Sequence, residues 1–220
     1  MTLKNFITNH HKSTKRNYLN RMNDNKVECM IISKKYDIDY WDGNRRYGYG
    51  GYKYIPGLWT NIAKDIIEDY KLTNSSKIID LGCGKAFLLY EIKKLLPNIE
   101  LIGIDISNYA IQNTKEEIRP NLNVFDARNP LPYKDKEFDL LISLGMLHNF
   151  RLPELKKVLI EINRISKKSY IMVESYRNEK ELFNLQCWAL TAESFFDNKE
   201  WLWLYQEFGY QGDFEFIYFE

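Results

Sequence analysis

The sequence predicts an α/β fold built on a doubly wound, mostly parallel sheet, preceded by an N-terminal helical and loop extension. Short apolar strands near 78–81, 100–105, 122–125, 138–143 and 169–174 alternate with helix-length amphipathic segments. Several of these strands are near-continuous apolar runs, as expected where helices cover both faces of a sheet. The first runs straight into a glycine turn and a helix, Lys77-Ile78-Ile79-Asp80-Leu81-Gly82-Cys83-Gly84-Lys85-Ala86-Phe87. Such a turn is where an α/β protein holds a nucleotide-like ligand, because Gly82 and Gly84 let it approach the backbone.

Taken in order, residues 1–36 are polar and basic, and the Asn-rich first dozen are expected to be disordered. From Arg16 to Lys35 apolar residues recur at helical spacing, which predicts one or two amphipathic helices. Their basic residues read either as a solvated helix face or as a dock for a phosphate-bearing substrate. Residues 40–59 concentrate tyrosines, tryptophans and glycines around Arg45 and Arg46 without strand or helix periodicity. That is an ordered loop packed over something: either a plug for one end of the sheet or a lid on the ligand pocket, with an arginine meeting an anionic group and Tyr47, Tyr49 and Tyr52 lining the site. Residues 1–58 are thus read as an arm and lid loop, and 59–220 as the sheet domain.

Trp59 to Tyr70 has the spacing of a helix lying on the sheet. Phe87 to Leu96 is a second helix stopped by Pro97, and a third is N-capped by Ser107 and ends at Pro120. The apolar run Leu182–Leu190 reads as a cap helix over the site, as core, or as a homodimer contact. Asp197 and Glu200 have the spacing of a capping box, Gly209 ends that helix, and Phe214–Phe219 is expected to close the sheet as an edge strand, with antiparallel pairing suggested.

Two ligand classes compete at the glycine turn. A dinucleotide fingerprint would place a third glycine where Phe87 stands, and it does not call for an acid before the turn, where this chain has Asp80. Asp80-Leu81-Gly82-Cys83-Gly84-Lys85-Ala86 instead resembles the first motif of the class I S-adenosylmethionine-dependent methyltransferases, with Ala86 in place of the last glycine. The resemblance continues for about a hundred residues and implies a Rossmann-like methyltransferase fold, with S-adenosyl-L-methionine as cofactor and no metal.

Residue by residue, the resemblance implies that Asp80, Gly82, Cys83 and Gly84 form the cofactor turn, that Asp105 with Ile106 meets the ribose, and that Asp126 with Ala127 meets the adenine. Leu144 begins the loop beside the methionine portion, and Arg46 and Tyr47 are assigned to the lid. These residue types suit the ligand: one carboxylate accepts both ribose hydroxyls, an adenine amino group needs an acceptor, and a cationic sulfonium needs no lysine-rich phosphate cradle. The absence of a Gly-x-x-x-x-Gly-Lys-Ser/Thr loop fits. His148, Glu174 and Arg177 follow the fourth and fifth strands on the same rim and are the candidate catalytic residues. His148 or Glu174 would serve as proton acceptor and Arg177 as anion clamp.

A formal charge of +1 gives no bias toward nucleic acid or an anionic membrane. The polar start and the lack of a long apolar run lead to an expectation of a cytoplasmic protein. Cys29, Cys83 and Cys187 are scattered and odd in number, which argues against a disulfide framework or zinc site, and Cys83 reads as a small turn residue. No Asn/Asp-Pro-Pro-Tyr/Phe signature of exocyclic-amine methylation follows the fourth strand. Analogy with small methyltransferases implies in-line O-methylation of a small polar acceptor, anionic or glycan-related, such as a sugar or surface-glycan precursor. The rival readings are an NAD-dependent oxidoreductase and a non-catalytic cofactor-binding partner subunit.

Overall fold

The computed structural model describes residues 1–220. Six strands form one sheet: β1 Lys77–Leu81, β2 Glu100–Asp105, β3 Leu122–Val124, β4 Phe138–Leu144, β5 Ser166–Glu174 and β6 Asp213–Ile217. They lie in the order β3-β2-β1-β4-β5-β6 and every pairing is parallel. The closing strand is therefore parallel to β5 rather than antiparallel. The chain returns through a helix, Asn198–Glu207, and a helical crossover brings the next strand back in the direction of the last.

Helices cover both faces, as the near-continuous apolar strands require. On one face Ile79, Leu81, Leu141, Ile171 and Val173 pack under α8 (Leu152–Ile165) and α10 (Asn198–Glu207). On the other, Ile78, Leu140, Ile142, Tyr170 and Met172 pack under α5 (Thr60–Tyr70) and α6 (Phe87–Leu95). Successive residues of one strand thus feed opposite cores, the period-two rule with both sides apolar. The capping box before α10 forms as read, with Glu200 N donating to Asp197 Oδ1 at 2.8 Å and Asp197 N to Glu200 Oε2 at 2.7 Å. Ser107 caps α7, but α7 is only Asn108–Gln112, and Pro120 lies in a separate 3₁₀ turn, Arg119–Asn121.

The arm is ordered from its first residues, contrary to the expectation from its composition. Leu3 bridges in parallel to Phe214, so the chain start lies along the open edge of β6 and covers it. Beside it the buried Glu215 carboxylate accepts the backbone N–H groups of Phe6, Ile7 and Thr8 and the Tyr170 hydroxyl. A polar segment low in apolar residues is thereby ordered through one buried acid, a contact with no local sequence signal. The arm continues as α1 (Thr8–Lys12), α2 (Tyr18–Asn23), α3 (Lys26–Ser33) and α4 (Ile38–Trp41). Lys26 Nζ donates to the carbonyls of Gln186, Cys187 and Ala189, which satisfies the C-terminal end of α9 (Glu179–Trp188) and ties arm to cap.

The sheet order reverses between β1 and β4. In open α/β sheets the crevice beyond the strand ends at such a point is where ligands bind.

Candidate active site

Two cavities meet at that point and share Gly82, Leu144, Gly145, Tyr40, Trp41 and Tyr49. The smaller, about 280 Å³, is a groove along the ends of β2 and β3 lined by Asp105, Ile106, Phe125, Asp126 and Ala127. The larger, about 470 Å³, extends the other way over Asp80, Gly84, His148, Met172 and Glu174 toward α9 and the arm. The larger falls within the size range of small-molecule sites and the smaller lies at its lower edge.

The glycine turn is shaped by backbone angles that side chains disfavour. Gly82 and Gly84 have φ of +80° and +55°, and a Cβ on Gly84 would lie 2.7 Å from the Trp41 ring. Asp105 fastens this turn: its Oδ2 accepts from Gly84 N and its Oδ1 from Ser107 N, each at 2.8 Å. Burial raises the Asp105 pKa against the pull of those donors. Asp126 lines the groove while its carboxylate is gripped by the Arg128 guanidinium and backbone N–H, which lower its pKa.

Asp80 is 4% exposed, lines the larger cavity, and has an Oδ1 with no hydrogen-bond partner. Burial, reinforced by the charge of Asp105, pushes its pKa to about 8. A buried acid of this kind lacks a cation or donor, and an α-ammonium group has both properties. Together with the glycine cradle and the Asp105–Asp126 groove, it fits S-adenosylmethionine. The groove residues Asp105, Ile106 and Asp126 would hold the adenosine, and Asp80 with the turn amides would hold the amino-acid end. Cys83 is an inert part of the turn, its thiol pKa raised by burial and by the nearby acids.

The lid loop is anchored to this turn. Trp41 Nε1 donates to Ser107 Oγ at 2.9 Å, Lys85 pairs with Asp42 at 2.6 Å, and the Tyr109 hydroxyl donates to the same Asp42 oxygen at 2.9 Å. Trp41 stacks on Tyr49 with centroids 5.2 Å apart and planes 5° off parallel, and Tyr52 stacks on Phe87. The loop is therefore a roof over the point where the cavities join.

A model of the methyltransferase domain matches residues 72–209, well over half of the chain. The chain belongs to the methyltransferase-domain family. It is a class I S-adenosylmethionine-dependent methyltransferase, and the dinucleotide oxidoreductase reading is set aside. Among solved structures, the methyltransferase superimposes on the chain from a Haloferax volcanii complex between the Trm112 methyltransferase activator and a putative methyltransferase, with a TM-score of 0.56, 21% identity, and 69% of this chain and 67% of that one covered. A SAM-dependent methyltransferase from Archaeoglobus fulgidus gives a TM-score of 0.54 at 20% identity, with 68% of each chain covered. In sequence it is 26% identical over 130 residues to the mitochondrial arginine-hydroxylase NDUFAF5 of Mus musculus, which covers 59% of this chain and 36% of that protein. It is 24% identical over 112 residues to the demethylmenaquinone methyltransferase of Thermotoga maritima, covering 51% and 48%. The methyltransferase thus spans between about a third and a half of the length of these curated relatives.

Several assigned residues of the methyltransferase lie elsewhere than expected. Arg177 is 44% exposed outside both cavities, where Glu181 and Glu220 hold its guanidinium over the Tyr218 ring and raise its pKa. It clamps the start of α9 to the chain end and is no anion clamp for a substrate. Arg46 and Tyr47 also lie off the site: Arg46 pairs with Asp24 at 2.8 Å over Tyr47. The 3₁₀ turn Arg45–Tyr47 directs Arg45, its first residue, to the cavity instead. Arg16, Arg21, Tyr40, Trp41 and Trp188 line the larger cavity and were not singled out as site residues. The basic arm and the aromatic lid carry hints of Arg16, Arg21, Tyr40 and Trp41, but their convergence on Trp188 depends on how the arm folds back across α9.

His148 and Glu174 are brought together. His148 Nδ1 accepts the Glu174 backbone N–H at 3.3 Å, and its Nε2 lies 3.5 Å from Glu174 Oε2. The ring's acceptor nitrogen is thus occupied, and the ring proton sits on Nε2, turned toward the carboxylate.

Proposed function

We propose that the methyltransferase acts on an oxygen of a small polar acceptor held in the larger cavity, with the Glu174 carboxylate receiving the acceptor's proton. The observation that carries this is the Glu174–His148 pair on the cavity wall beside the Asp80–Gly84 turn. When bound, S-adenosylmethionine supplies a methyl group already activated on a sulfonium. The work left to the chain is to align the acceptor oxygen and take its proton.

Glu174 ends β5, where register with β6 at Ile217 fixes its backbone, and Trp201 Nε1 donates to its carbonyl at 3.1 Å. Its side chain is 18% exposed, and that exposure is to the cavity. A carboxylate there has a free lone pair, whereas His148 as arranged has none. His148 is therefore a positioning residue that holds Oε2, a different division of labour from a histidine base. The aromatic roof of Trp41, Tyr49 and Tyr52 excludes water from the join of the two cavities.

The relatives include an arginine hydroxylase and a demethylmenaquinone methyltransferase, so their names bring no shared acceptor. The cavity of about 470 Å³ supports a metabolite the size of a sugar or glycan-precursor unit over a nucleic-acid partner. The test is S-adenosylhomocysteine release with a panel of hydroxylated metabolites. Turnover with at least one member that falls in Glu174→Gln supports the reading, and turnover indifferent to that change overturns it.

A further inference from the structure

The sequence contains nine arginines, and five of them, Arg46, Arg128, Arg151, Arg164 and Arg177, pair with carboxylates. Of the four that do not, Arg16, Arg21 and Arg45 all line the larger cavity. Their guanidinium carbons lie 5.6, 4.3 and 5.0 Å from the centroid of one ring, that of Trp188 at the end of α9. Three like charges gathered on one aromatic are costly to hold without an anion among them. Burial lowers all three pKa values, and the Arg45 charge contributes to bringing Arg21 down to about 10.

Their fixed bonds go to neutral acceptors. Arg16 Nη1 donates to the carbonyls of His11 and Thr14, Arg21 Nη1 to that of Arg46, and Arg45 Nη1 to that of Gly48. Arg16 Nε is buried with no partner. Each guanidinium has five N–H donors, so donors remain on all three. The carboxylates lining the same cavity are Asp80 and Glu174; the Glu174 charge is felt at Arg16, but neither acid pairs with any of the three guanidiniums.

We infer that Arg16, Arg21 and Arg45 around Trp188 form the acceptor's recognition subsite, and that the acceptor carries a dianionic group, a phosphomonoester or a pair of carboxylates, at the end remote from the methylated oxygen. This rests on the reading of the larger cavity as the acceptor site. Guanidinium forks match oxyanions, and a dianion leaves the three arginines with a small surplus that balances the Glu174 carboxylate.

The test titrates cofactor-free protein at about pH 8, where phosphate is a dianion, with inorganic phosphate and with malonate at low salt, followed by calorimetry. Saturable binding of either is expected, weakened about tenfold or more in Arg16→Gln and Arg45→Gln. Arg45→Lys, which keeps the charge, should recover part of it, and it serves if the Gln variant does not fold. Arg46→Gln, outside the cavity, should leave binding unchanged. Binding of phosphate alone assigns a phosphomonoester, and of malonate alone a dicarboxylate. The inference is overturned if neither dianion binds, or if Arg46→Gln weakens binding as much as Arg16→Gln. Affinity for S-adenosylhomocysteine should be untouched by Arg16→Gln and Arg45→Gln. Its absence in the wild type would defeat the cofactor assignment and leave the dianion result to decide this subsite alone.

Discussion

His148 Nδ1 accepts the Glu174 backbone N–H while its Nε2 stands 3.5 Å from the Glu174 side chain, so one ring fixes both ends of the same residue. Removing the carboxylate should therefore cost more than removing the ring. Glu174→Gln is expected to lower kcat by about 10²- to 10⁴-fold, the usual contribution of a general base, with S-adenosylhomocysteine affinity unchanged. His148→Gln should lower it only about tenfold, since a positioning group is lost but the proton acceptor remains. Single-turnover rates on both variants check the order, and a larger loss at His148 would make the ring the base.

Asp80 gives a pH signature with two opposite arms. Its pKa in the cofactor-free protein is raised to about 8 from an ordinary 3.8, mainly by burial. A raised acid contributes stability that is fully present below the unfolded pKa and is lost as pH rises through about 8. Asp80→Asn should thus gain stability over the wild type as pH rises from 5 to about 8, by a few kcal/mol, read as a higher melting temperature. Its affinity for S-adenosylhomocysteine should fall, because the amide offers no charge to an ammonium. Wild-type affinity should tighten with pH over the same window while the variant's stays flat.

Gly84→Ala tests the fit between lid and turn. The position has φ +55°, and the added methyl would meet the Trp41 ring at 2.7 Å. Loss of about 1–3 kcal/mol of stability is expected from the backbone and the displaced ring together. Cofactor affinity should fall in parallel, since Trp41 cannot then keep its bond to Ser107. Differential scanning calorimetry with and without S-adenosylhomocysteine reads both.

Arg177 and Glu215 separate a half-exposed guanidinium from a fully buried acid. Arg177→Ala removes a guanidinium that is 44% exposed but partners the buried Glu181, and should cost about 1–2 kcal/mol, leaving turnover intact. Glu215→Ala strands three backbone N–H groups of the arm and the Tyr170 hydroxyl, and should cost about 3 kcal/mol or more. Denaturant melts measure each, and proteolysis near residue 8 should accelerate only in the second variant.

The sheet and the cofactor end of the site were legible because both are local. A buried strand, a turn that demands positive φ at Gly82 and Gly84, and an acid at the end of each of the next two strands all leave marks at fixed short spacings. The acceptor end was not, because it is assembled from distant pieces: Arg16 and Arg21 from the arm, Arg45 from the lid, Trp188 from α9. Of two adjacent arginines, the 3₁₀ turn sends Arg45 inward and leaves Arg46 to Asp24, a choice no composition reveals. Arg177 follows a sheet strand as a site residue would, and only the position of Glu181 four residues on shows it to be a clamp.

Isothermal titration with S-adenosylhomocysteine and, separately, with NAD tests the central assignment most directly. The account predicts saturable one-to-one binding of S-adenosylhomocysteine that weakens in Asp80→Asn, with no heat from NAD. Binding of NAD in preference, or S-adenosylhomocysteine affinity indifferent to Asp80, would contradict it.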